Sequence, residues 1–266
     1  MHDAVNRECL ATRNGVGIID ASTLGKIDIQ GPDAREFLNR VYTNAWSKLP
    51  VGRCRYGLMC GEDGMVFDDG VTSCISDNHF VMTTTSGGAA RVFQWLEVWH
   101  QTEWPDLDVY FNSVTDHWAT LSISGPKARL LLAELTDIDL NPETFKFMDL
   151  REGEVAGVPA RVFRISFTET MHVLRAEKGF IIVGQDTDGS MTPYDLDMGW
   201  AVSPAKEFSF LGKRSLDRED CLWHVVKGGL DKMGEKVYMP QADGTTIEAE
   251  ICSPVFYDPK GERQNV

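Results

Sequence analysis

The chain lacks a C-x-x-C cysteine pair, an apolar run of membrane-spanning length, a phosphate-binding glycine loop and any excess of basic residues. Each absence closes off a class of function. Without paired cysteines among Cys9, Cys54, Cys60, Cys74, Cys221 and Cys252, zinc-ribbon and related metal sites are excluded, and no metal is expected. Without a long apolar segment or an apolar core in the opening MHDAVNREC, neither a membrane span nor a secretion signal is read. The expectation is a cytoplasmic protein with reduced thiols. The net charge of −14 repels phosphate backbones and anionic lipid, so neither nucleic acid nor membrane is expected as a partner. The NGVGIID stretch at 14–20 has two glycines but no third, so it reads as a strand rather than a dinucleotide fingerprint. SGG at 86–88 has no following Lys-Ser or Lys-Thr and reads as a turn into a helix.

What is present is an internal repeat. IQGPDAR at 29–35 recurs as ISGPKAR at 123–129, each after an alternating strand-like run, KIDI or ATLSI. Pro fits the first helical turn because its missing N–H would find no partner there anyway. Ala34, Phe37, Leu38 and Val41 follow at helical spacing in the first copy, and Ala128, Leu131, Leu132 and Leu135 in the second. Two strand/Gly-Pro/helix units predict a duplicated α+β architecture with antiparallel sheets. Between them the chain reads as β-rich, followed by a helix at 89–99 whose aromatics are expected in the core or at a subunit contact. TPYD at 192–195 predicts a helix start, with Thr192 as cap. GQDTDG at 184–189 lacks the further acids of a calcium loop and reads as a turn. A hairpin at 236–252 marks a small β-rich C-terminal unit, giving a division into 1–215 and 216–266.

Two adjacent acids, Asp68 and Asp69, stand in a segment whose pattern is a strand, where acids are depleted. CRYGLMC and MVFDDGV flank the loop GEDG, a hairpin arrangement. Pairing Cys60 with Met65 sets Leu58 opposite Phe67 and Tyr56 opposite Asp69. Asp69 then shares an apolar face with Tyr56, Leu58, Phe67 and Val71, where burial should raise its proton affinity and suit it to proton transfer. A purely structural role, accepting a hydrogen bond from Tyr56, explains the same pattern. Asp68 falls on the opposite face near Arg55 and is expected to be a surface ion.

The run YGLMCGEDGMVFDDG at 56–70 resembles the glycine-cleavage T-protein (aminomethyltransferase) superfamily. LGKIDIQGPDAREFLNRVYTNAWSKLPVG at 24–52, MHVLRAEKGFIIVGQDTDGSMTP at 171–193 and VKGGLDKMGE near the end resemble one branch. That branch is the C-terminal folate-binding half of the α subunit of heterotetrameric sarcosine oxidase. The resemblance implies the aminomethyltransferase fold and a role in one-carbon metabolism. Tetrahydrofolate would capture the carbon of the imine made by oxidising sarcosine, giving 5,10-methylenetetrahydrofolate and glycine. It further implies FMN or FAD and NAD on a partner subunit or a missing N-terminal part, with a flavin-bearing subunit as partner. Residue by residue, it makes Asp69 the catalytic acid and Tyr56 a pterin-side contact. It places Arg175, Glu177 and Trp200 around the pterin and Lys206 near the anionic folate tail.

The sequence also departs from that pattern. Thr168 runs almost directly into the 169–172 segment where the family continues with further strands, and a second stretch is missing between Asp220 and Val225. The N-terminal dinucleotide-binding portion of the α subunit is absent as well. The expectation is either a shortened or incompletely represented chain, and the alternative function is a non-catalytic interaction module with an incomplete folate pocket.

Overall fold

A computed structural model describes residues 2–165, 179–203, 205–206, 209–217, 232–240, 246–251 and 253. A five-stranded antiparallel sheet organises the first half: β2 (Gly25–Gln30), β3 (Cys54–Cys60), β4 (Val66–Ser76), β5 (His79–Thr84) and β6 (Tyr110–Ser113), in the order β3-β4-β5-β2-β6. Helices α2 (Ala34–Val41) and α3 (Ala89–Thr102) supply Phe37, Leu38, Val41, Val92 and Leu96 to one core cluster with Ile27, Ile29, Met59, Phe80 and Met82 of the sheet. Ala34, Phe37, Leu38 and Val41 are all fully buried, as the helical spacing requires. Aromatics of α3 and of the turn after it belong to this core: Phe93, Trp95 and Trp104 pack against it.

The repeat is real in the backbone. The second copy forms β7 (Leu121–Ser124) and α4 (Ala128–Ala133), and β7 pairs with β1 (Gly17–Asp20), the strand read from NGVGIID. Gly31 and Gly125 have φ of 134° and 117°, a region closed to other residues. A Cβ at these positions would lie 2.2 Å from the Asp108 carbonyl oxygen and 2.5 Å from that of Gly15. In both copies the alanine three residues on, Ala34 or Ala128, donates its N–H to the glycine carbonyl and opens the helix.

The copies differ in packing. Among the described residues β7 has one neighbour, β1, whereas β2 lies between β5 and β6. Of the expected core-facing stripe, Ala128, Leu131 and Leu132 are only partly buried and Leu135 is 42% exposed. Helical spacing identifies a face; only a second layer buries it.

Three further elements depart from, or add to, the sequence reading. Helix α1 (His2–Asn14) and the hairpin of β8 (Leu150–Val155) and β9 (Val158–Phe163) were not anticipated. TPYD makes a single turn, not a helix: Thr192 and Asp195 form the cap by mutual hydrogen bonds, but Asp197 adopts φ 57° and ends it. The C-terminal hairpin forms as expected from β10 (Lys236–Pro240) and β11 (Thr246–Glu250). GQDTDG is a turn, with Gly184 N–H donating to Thr187 Oγ1. Among the described residues no helix is long and apolar enough to cross a membrane, and Cys9, Cys54, Cys60 and Cys74 are buried free thiols.

The packing difference gives a direct comparison. Leu38→Ala, at a site with 0% exposure, is expected to cost about 2–5 kcal/mol in denaturant unfolding. Its repeat counterpart Leu132→Ala is expected to cost less than half as much, and equal losses would mean that the second unit is as well covered as the first.

Candidate active site

The β3–β4 hairpin forms around the GEDG loop, where Gly61 N–H donates to the Met65 carbonyl and Gly64 takes φ 82°. Its register differs by two residues from the expected one: Leu58 is opposite Asp69 and Tyr56 opposite Val71. A shift of two preserves the faces, since side chains alternate with period two. Tyr56 and Asp69 therefore remain on one face as diagonal neighbours, and Tyr56 Oη donates to Asp69 Oδ2 at 2.7 Å. Asp69 is 7% exposed.

The register is interrupted at Met59/Cys60, where Asp68 pairs with Met59 and Val66 with Cys60. This bulge leaves Phe67 without a partner and lets two successive residues face the same way. Phe67 was expected beside Asp69. Instead it joins the main core, stacked on Trp95 at 4.8 Å. Val66, on the Asp69 side, packs with Leu58, Val183 and Ala201.

Asp68 corrects the sequence reading most sharply. It does face away from Asp69, but it is fully buried, not a surface ion. Its Oδ1 accepts from the backbone N–H of Asp69 (2.8 Å) and of Thr85 (3.0 Å), and its Oδ2 accepts from Thr85 Oγ1 (2.8 Å). Its proton affinity is raised: burial outweighs the Thr85 and Asp69 donors and the charge of Arg91, which act in the opposite sense. The expected partner, Arg55, instead donates to the Ala45 carbonyl and lies 5.8 Å from the Trp46 ring centroid. SGG is the turn beneath this carboxylate: a Cβ on Gly88 would fall 1.9 Å from Asp68 Oδ2. Alternation in the sequence assigns Asp68 to a face, but only the approach of the 85–88 turn closes that face.

Two apolar groups meet at Tyr56. On one side Leu58 and Val66 pack with Ile181, Val183, Leu196 and Met198; on the other Cys54 and Val71 pack with Leu150 and Phe163. Residues 42–44 run beside β3 and tie down the chain that follows. Thr43 N–H donates to the Leu58 carbonyl, Thr43 Oγ1 to the Ala201 carbonyl, and Asn44 Nδ2 to the Tyr56 carbonyl. These bonds bring Trp200 to Tyr56, with ring centroids 5.9 Å apart and an interplanar angle of 31°. Trp200 is 70% exposed, an open aromatic face beside Tyr56. Arg175 and Glu177 lie outside the described residues. Among the described residues no group of His, Cys, Asp and Glu could hold a metal ion.

Lys206 points inward. Its Nζ donates to the carbonyls of Tyr42 (2.5 Å) and Asn44 (3.0 Å) and lies over the Phe210 ring. Burial depresses its pKa from 10.5 to about 7. The unfolded chain thus holds a proton between these values that the folded chain lacks, so stability from this group rises with pH across that window. The melting temperature of wild type relative to Lys206→Met is expected to climb from about pH 7 to about pH 10. A flat difference would mean that the ammonium is solvated.

Comparison with known proteins places this geometry. The chain is 46% identical to sarcosine oxidase subunit alpha of Corynebacterium sp. (strain P-1), over 96% of this chain and 31% of that protein. It is 50% identical to the same subunit of Corynebacterium sp. (strain U-96), over 100% of this chain and 37% of that protein. It spans about a third of these curated relatives' length. The second alignment runs over 359 residues against 266 in this chain, so that relative carries internal segments with no counterpart here. The fold matches the crystal structure of glycine cleavage system aminomethyltransferase T from Bartonella henselae, with TM-score 0.69 and 20% identity over 91% of this chain and 75% of that one. Residues 1–170, which contain both repeat copies, the β3–β4 hairpin and the Tyr56–Asp69 pair, match the GCVT N-terminal domain, and the chain belongs to that family.

Proposed function

We propose that this chain is a folate-dependent one-carbon transfer module of a sarcosine oxidase-like enzyme, with Asp69 as its reacting carboxylate. The observation that carries the reading is the hydrogen bond from Tyr56 Oη to Asp69 Oδ2 on a largely buried sheet face. The residues present suit a reduced pterin: a buried carboxylate to accept ring N–H groups, a phenol beside it, and the open indole of Trp200 to cover an aromatic plane. Tetrahydrofolate, when bound, supplies the amine nitrogens that take up the carbon of an imine derived from sarcosine, leaving glycine. A flavin on a partner subunit of a hetero-oligomer would generate that imine. This chain's part is electrostatic and acid–base. Asp69 sets a negative charge where positive charge gathers on the imine, and it accepts the proton released as the new C–N bonds form. Tyr56 holds the carboxylate by donating to Oδ2, leaving Oδ1 directed by the fold. Arg175 and Glu177 remain proposed contacts of the pterin. Lys206 is not retained as the folate-tail contact, because its ammonium donates to two backbone carbonyls.

A second reading, a non-catalytic module of the same fold, draws on the internal segments that the 359-residue alignment leaves without counterpart in this chain. Calorimetric titration of the folded chain with tetrahydrofolate separates the two. Saturable binding is expected, weakened at least about tenfold by Asp69→Ala and by a few-fold in Tyr56→Phe, in line with loss of a charged and of a neutral-donor hydrogen bond. No binding at millimolar ligand, in a protein that melts cooperatively, would leave only the second reading.

A further inference from the structure

The geometry points to Asp68 as the positioning residue of this site: a buried anion on the far side of β4 that fixes the backbone of Asp69 and keeps a negative charge behind it. This rests on the reading of Asp69 as the reacting carboxylate. The structural case is independent of any ligand. Asp68 is the residue at which the bulge ends, and its Oδ1 binds the amide N–H of the next residue, Asp69. The same carboxylate gathers the N–H and hydroxyl of Thr85, and Thr85 Oγ1 accepts from the Gly88 N–H at the start of α3. Asp68 therefore joins the bulge, the turn after β5 and the first turn of α3 at one point. A bulge interrupts the ladder and re-aims the residues beside it, and these bonds hold the backbone of Asp69 where the ladder resumes.

The charge has its own effect. Three donors converge on the two oxygens, and they and the charge of Arg91 stabilise the ionised form against the larger effect of burial, which raises the proton affinity of Asp68. The groups that face Asp68 from the packed elements are Arg91 on α3, Thr85 on the turn, and the phenol of Tyr42, which is itself pushed above its ordinary value by burial and feels both Asp68 and Asp69. A carboxylate next to Asp69 in sequence, separated from it by one strand's thickness of low-dielectric protein, makes the site better at holding a proton and at attracting positive charge.

The test needs no folate, so it stands or falls apart from the titration above. The Asp69 carboxyl carbon is followed by NMR against pH in wild type, Asp68→Asn and Thr85→Val. Asp68→Asn keeps the shape but removes the charge, and the Asp69 midpoint is expected to fall by about half a pH unit or more. Thr85→Val removes one donor, leaves the charge, and is expected to lower the melting temperature without lowering that midpoint. An unmoved midpoint in Asp68→Asn, or an equal fall in Thr85→Val, overturns the proposal. Should Asp68→Asn fail to fold, Thr85→Val carries the test by hydrogen exchange. Loosening Asp68 is expected to speed exchange of the Asp69 amide at least about tenfold while the Val71 amide holds, and uniform change or none refutes the clamp.

Discussion

Side chains on a strand must alternate, and at Val66–Asp68 this chain breaks that rule by one residue. The bulge turns Phe67 and Asp68 together toward α3 and returns Asp69 to the face of Tyr56. The consequences run in both directions. On the helical side, Phe67 fills the space against Trp95 while Asp68 binds Thr85 and the start of α3. On the other side, a carboxylate and a phenol lie against apolar residues, where a hydrogen bond between them is strong and a charge has weight. Without the extra residue, Asp68 and Phe67 could not both face the same side.

The opposite fates expected for the two acids collapse into a shared one, burial, with different uses. Asp68 is surrounded by donors supplied by backbone and a threonine, and such a set stabilises an anion structurally. Asp69 is held by a phenol at the meeting of two apolar groups, beside the exposed ring of Trp200. Charge satisfied from within supports the fold; charge at an opening is available to a ligand.

The duplicated unit illustrates how local rules differ from packing. Both Gly-Pro turns adopt the same positive-φ glycine and start a helix at the same position, because those features depend on a few neighbouring residues. Burial does not repeat. The first helix is sealed by a five-stranded sheet and α3, whereas among the described residues the second unit offers a two-stranded sheet and leaves Leu131 and Leu132 half-buried and Leu135 exposed.

What the amino-acid order determined by itself was local: the turns, the strand and helix periods, the pairing of Tyr56 with Asp69 on one face, and the kinship carried by long motifs. It tolerated a two-residue error in register because the period of a strand is two. It could not place Phe67, since the bulge is visible only in how β4 meets β3, and it gave Asp68 the right face but not its burial, which depends on a turn seventeen residues further on. Nor could it show Lys206 turned toward the carbonyls of residues 42 and 44, more than a hundred and sixty positions away in the chain. Tertiary structure decided those points, because whether a face is covered depends on which distant segment arrives there.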